Sequence, residues 1–255
     1  MLRTESKVDY EPVSPEGIDE LLASDAVIDH DYVDDRIAAS RRGLGTIELG
    51  LFDSLAESGD PRRCELTVAA ATVASEATGQ LLTAWSQGAD DMPPHIEVFT
   101  TTMDSNDALA DVVGAQFEIL NRQTLFELGK ALGVSAPGPV PDAIPEGPAG
   151  AGVERYVAQL EGIDATLHSG GEDSLLGLIR SRSTEVGDEI ETRLSSALAR
   201  LGEIEGDLTT AVSEQPGEMN ELLDDLTALR DLIHVDVVAL LDLTLGFSDS
   251  DGDSG

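Results

Sequence analysis

Apolar residues recur along most of this chain in steps of three and four. From Val186 the pattern runs through Ile190, Leu194, Leu198, Leu201, Ile204 and Leu208 to Val212, which places one apolar face on a single long helix. Leu66, Ala70, Val73, Ala77, Leu81, Leu82 and Trp85 predict a second helix, and Val153, Val157, Leu160, Ile163 and Leu167 a third. A fourth starts at Leu109 and passes Val113, Phe117 and Leu120 towards Leu128 and Leu132. The last begins after "QPGE", where Pro216 and Gly217 break the chain, and follows Leu222, Leu226, Leu229, Ile233, Val237, Leu240 and Leu241. Its second half is apolar on nearly every side, which predicts a central position. No stretch alternates with the period of a strand, so the expected class is all-α.

The plainest interruption is "SAPGPVPDAIPEGPAG", Ser135 to Gly150, with five of the eleven prolines. It reads as a linker. The predicted division is a helical half over 1–134, a Pro/Gly-rich linker over 135–150 and a second helical half over 151–255. The halves share a plan: a short apolar segment ("GTIELGLFDSL", "DSLLGLIRS"), a long helix, then another. Two helical bundles related as a pseudo-repeat are expected, with antiparallel neighbours across short loops.

Charge changes the reading of every acidic cluster. The chain carries 50 acidic and 15 basic residues, a formal net charge of -35, and its lysines are Lys7 and Lys130 alone. Such an excess suits concentrated salt, where the Debye length falls to about 3 Å and self-repulsion is screened. A halophilic source is the expectation, and most runs of Asp and Glu are then solvated surface. No basic stripe exists to neutralise phosphates, which argues against a nucleic-acid partner. The aromatic fraction of 4 % leaves the core to Leu, Ile, Val and Ala.

Candidate chemistry is sparse. Cys64 is the single cysteine, so an intrachain disulfide and a Cys-based zinc cluster are excluded; its apolar helical setting predicts a buried, inert thiol. His30, His95, His168 and His234 are scattered, and none forms the i, i+4 pair of a helical zinc site. His30 and His95 are expected in solvent, His168 at a helix C-terminus and His234 at a core boundary. Neither a phosphate loop nor a GxSxG elbow occurs. The closing "DSDGDSG" offers Asp249, Asp251 and Asp253 at EF-hand spacing, but Ser254 occupies the turn-glycine position and no Glu follows, which excludes a complete EF-hand. No apolar run is long enough for a transmembrane segment, and "MLRTESKVDYEPVSPEG" lacks the h-region of a signal peptide.

Five segments together resemble one family. "VVALLDLTLGFSDSDGD" is similar to the closing segment of the imelysin-like proteins, nominally the M75 peptidases, and "RRGLGTIELGLFD" to their central G-x-H-x-x-E segment. "DPRRCELTVAAATVASEATGQLLTAW" resembles the Arg-Arg-Cys helix that follows it, "PVSPEGIDELLASDAVIDHDYVDD" the segment before it, and "VERYVAQLEGIDATL" a helix of the second half. The resemblance covers about residues 8–253. It implies two helical bundles with a pseudo-repeat, an exported or cell-surface setting and a link to iron uptake.

Carried over, the motif gives Gly43 for its glycine, Glu48 for its glutamate and Gly45 where the histidine belongs. The Ser-Gly-x-Ser element of the family reads Ala149, Gly150, Ala151, Gly152. Losing the imidazole disfavours Zn²⁺ or Fe²⁺, and carboxylates favour harder cations. The leading expectation is a non-enzymatic imelysin-like protein associated with iron or another divalent cation, with Glu48, Asp251 and Asp253 as its ligands. Whether His234 replaces the lost imidazole stays open. The alternatives are an M75-type metallopeptidase, with Glu48 as base, and a structural or partner-binding bundle without metal. Relatives carry a signal and further helices ahead of the matched region; a missing first helix would expose an apolar groove, a candidate for homodimerisation.

Overall fold

The computed structural model describes residues 21–23, 25–36, 46–48, 51, 61–89, 92–145 and 149–245. Regular structure among them is helical throughout, and the β feature is an isolated bridge between Ala89 and Met92. The all-α expectation therefore holds. The chain forms two compact units, Met1–Thr102 and Met103–Gly255.

In the first unit, α1 (His30–Arg36) packs on the long α2 (Pro61–Ser86), and α3 (His95–Glu97) widens into a π-helical turn, Val98–Thr102. Alanines on α2 let the chain approach closely: Ala69, Ala70 and Val73 join Leu66, Ile28 and Val33 in one cluster. The predicted α2 stripe is buried at Leu66, Ala70, Val73 and Ala77 but comes to the surface at Leu82 and Trp85. Trp85 instead meets the His95 ring edge-on at 4.7 Å. Cys64 is exposed, not buried, because it lies off the stripe that Leu66 and Ala70 define.

The second unit begins with α4 (Ser105–Asn121), whose first turn is capped by Asp104 accepting from the Asn106 amide at 2.9 Å. A π-helical turn, Arg122–Glu127, continues it into α5 (Leu128–Ala131). Gly129 is required there: a Cβ at that position would overlap the Thr124 carbonyl oxygen of the widened turn. Then come α6 (Gly152–His168), α7 (Leu175–Arg182), α8 (Thr184–Glu203), α9 (Leu208–Glu214) and α10 (Pro216–Asp231), which passes through a π turn, Leu232–Val237, into α11 (Val238–Leu241). α8 packs against α6, α7 and α10, and α10 against α4. Between them lies one apolar core that includes Leu120, Leu128, Leu160, Ile163, Ile190, Leu194, Leu222, Leu226 and Leu229.

Three expectations change. The single helix over 186–212 is two: α8 stops at Glu203, Gly206 takes a positive φ of 93°, and Asp207 restarts the helix by accepting from the amides of Thr209 and Thr210 at 2.9 and 3.1 Å. The apolar period runs across that break because Leu208 and Val212 stay in the core, and so periodicity alone does not register it. The Pro-rich stretch is no free linker where it is described: Pro141–Ala143 forms one 3-10 turn, packs on α5 and α9, and delivers Ile144 to the core. The compact units divide along the chain between Thr102 and Met103, ahead of α4. The last helical stretch is less central than its composition predicts: Ile233 and Val237 are buried, but Val235 is exposed and no residue of α11 is fully buried.

Candidate functional site

Glu48 lies on a short helical stretch, 46–48, of the first unit. Ile47 packs on the cluster of Ile28, Val33 and Leu66, and Thr46 is fully enclosed. Glu48 keeps only 9 % of its surface exposed. In a chain with 50 acidic residues, the buried acids among those described are Glu48, Glu127 and Asp225. A carboxylate is taken out of water only where something compensates it.

The start of α2 builds the surroundings. Arg62 donates through Nε to the Leu22 carbonyl at 3.0 Å and through a terminal nitrogen to the Ala26 carbonyl at 2.8 Å, so the first arginine of "RRC" clasps the incoming chain. Arg63 turns inward and is 4 % exposed, and the Thr67 hydroxyl donates to its carbonyl at 2.8 Å. Glu48 and Arg63 are thus the buried charges among the described residues of this unit, of opposite sign, and neither is without a partner.

Asp251 and Asp253 lie outside the described residues, as does Gly45. Among the described residues no group of three or more His, Cys, Asp or Glu side chains is arranged to hold a metal ion. His234 sits on the π turn of the second unit, its ring stacked on Phe117 at 4.2 Å. His30 opens α1 and reaches Glu76 of α2 at 2.9 Å; its bonds to Asp31 and Glu76 raise its pKa. His168 ends α6, as expected, and bridges to Glu191 of α8 at 3.1 Å.

A second buried polar group was not legible from the sequence. On the π turn after α4, Glu127 accepts two bonds of 2.8 Å from the Arg155 guanidinium, and Arg122 approaches it at 3.6 Å. One turn earlier, the Gln123 amide donates to Gln159 at 2.8 Å. Tyr156 is fully buried beside them; burial first, then the Glu127 carboxylate, hold its hydroxyl well above the usual phenol range. The one sequence signal is Gln123 and Glu127 on the apolar side of a predicted helix, and their partners lie 36 and 28 residues away.

A family model described as imelysin, peptidase M75, matches residues 2–235. The chain belongs to the imelysin family. No curated protein matches it, and neither does any solved structure. The imelysin resemblance assigns its motif glutamate to Glu48, the buried acid of the first unit. At that motif the chain has the Glu48 carboxylate, with Gly45 in the imidazole position, so the residues present do not fit a histidine-ligated zinc centre. No helix among the described residues is long and apolar enough to cross a membrane.

Proposed function

We propose that this imelysin-family protein is a non-enzymatic, helical cation-binding protein serving metal uptake at the cell surface, with iron the first candidate. Glu48 is the core ligand. The observation that supports this reading is the burial of Glu48 at 9 % exposure, where most acids among the described residues lie at the surface. A peptidase needs a metal-activated water as well as a base, and with Gly45 in the histidine position the base alone remains.

Calorimetric titration with Fe³⁺, Fe²⁺, Zn²⁺ and Ca²⁺ tests it. The reading expects saturable binding of an oxygen-preferring ion, weakened at least tenfold, or about 1.4 kcal/mol, in Glu48→Ala. Absence of saturable binding, or equal binding by the variant, removes the proposal. Chelator-sensitive hydrolysis of a peptide library would overturn its non-enzymatic part.

A further inference from the structure

In the second unit the exposed large apolar side chains, among the described residues, are Leu125, Phe126, Val134, Val140 and Val235. All but Val235 fall between positions 125 and 140, and the backbone brings them to one end of the unit. The Ser135 hydroxyl donates to the Leu125 carbonyl, the Val134 amide to the Gly129 carbonyl at 2.8 Å, and the Val140 amide to the Lys130 and Ala131 carbonyls at 3.2 and 3.1 Å. The loop after α5 is thus folded back on α5 and on the π turn that carries Phe126. Apolar side chains gathered in one place on a surface mark an interaction site, where single scattered ones do not.

The same stretch is poor in acid. In a chain with 50 acids among 255 residues, the single acid between Glu118 and Asp142 is Glu127, which is buried against Arg155. The cations of that stretch are Arg122 and the exposed Lys130. Beside it lies a half-open dent of about 290 Å³, walled by Leu132, Pro139, Pro141, Val212 and Pro216, with Ser213 and Asn220 as its polar, uncharged lining. Pro139 and Pro141 flank Val140, so the dent continues the apolar cluster. A cavity of about 150 Å³ admits benzene, which gives this one room for a phenyl ring. Phe126, at 63 % exposure, stands outside the dent of its own chain. On the far wall two acids are exposed, Glu214 next to Ser213 and Glu218 just past Pro216.

We propose that a second copy of this chain docks here, in a two-fold dimer in which Phe126 of each copy enters the proline-lined dent of the other. A ring and a dent at one end of the unit make that surface complementary to itself, as a two-fold interface requires. Lys130, four residues beyond Phe126 and also exposed, then meets the exposed Glu214 and Glu218 of the opposite copy, so cation faces acid in both halves. The charge pattern selects this occupant. Two chains of net charge -35 repel across their acidic surfaces, and this end lets them close with lysine rather than acid against acid. The interface lies in the second unit and is independent of the proposal for Glu48.

Sedimentation equilibrium of the full chain at micromolar concentration in molar KCl, where like-charge repulsion is screened, tests it. The wild type should be a dimer. Phe126→Ala removes the ring and Asn220→Trp fills the dent; each should raise the dissociation constant about tenfold or more. A monomeric wild type, or either variant dimerising as the wild type does, overturns the proposal. Should Phe126→Ala fail to fold, Asn220→Trp decides alone. A monomeric wild type in which added indole shifts the NMR signals of Val212 would make the dent a small-molecule site, and that too overturns the dimer.

Discussion

Arg155 grips Glu127 through two parallel bonds of 2.8 Å, with the carboxylate 4 % and the guanidinium 16 % exposed. The pair joins the π turn after α4 to α6, so one ion pair fastens two helices of the second unit. Its geometry is bidentate, the arrangement in which an arginine compensates a buried carboxylate best.

Breaking that pair on one side should cost far more than replacing it. Arg155→Met leaves Glu127 buried with Arg122 as its remaining cation, at 3.6 Å, and should lower stability by about 3 kcal/mol. The double variant Glu127→Met/Arg155→Met should recover most of that loss, since no charge is then stranded. Urea denaturation of the three proteins measures both effects. A double variant as unstable as Arg155→Met would show that the pair is not acting as a compensated charge.

His168 should make stability fall as pH rises past neutrality. Its bond to the Asp164 backbone carbonyl first, then Glu191, raises its pKa, and Arg180 and His168 together lower that of Glu191. A histidine with a raised folded pKa stabilises fully below its unfolded value, about 6.5, and loses that contribution as pH climbs through the folded value. The imidazole is 45 % exposed, so solvent screening holds the effect below about 1 kcal/mol. Thermal melts of wild type and His168→Gln should diverge at pH 5.5 (about one unit below that pKa) and converge above pH 8. A constant difference across that range would contradict the ion-pair account.

Salt should stabilise the fold. A net charge of -35 with two lysines implies strong self-repulsion in dilute buffer and screening in concentrated salt. Melting temperature should rise from low to molar KCl. Greatest stability near zero salt would sink the halophilic reading.

The long helices were legible because their apolar residues recur at the helical period over many turns, as from Val186 to Leu201 or Val153 to Leu167. Features that depend on one residue's backbone or on a distant partner were not. Gly206 and Asp207 end and restart a helix without disturbing the apolar period. The prolines of 135–150 announce an irregular chain but not that Ile144 anchors part of it. Cys64 shares a helix with core residues yet points outward. Glu127 looked like one more acid in an acid-rich chain until α6 brought Arg155 to it. Glu48 was visible only through its motif; its burial is a fact of folding, and Asp251 and Asp253 lie outside the described residues.

The account's central claim is that the imelysin motif position here offers oxygen donors, centred on Glu48, to a cation. Iron K-edge X-ray absorption on the iron-loaded full chain tests it most directly. The account predicts a first shell of oxygen without the outer-shell scattering of imidazole, and loss of retained iron in Glu48→Gln. Imidazole scattering in the wild-type spectrum, or an unchanged spectrum in Glu48→Gln, would contradict it.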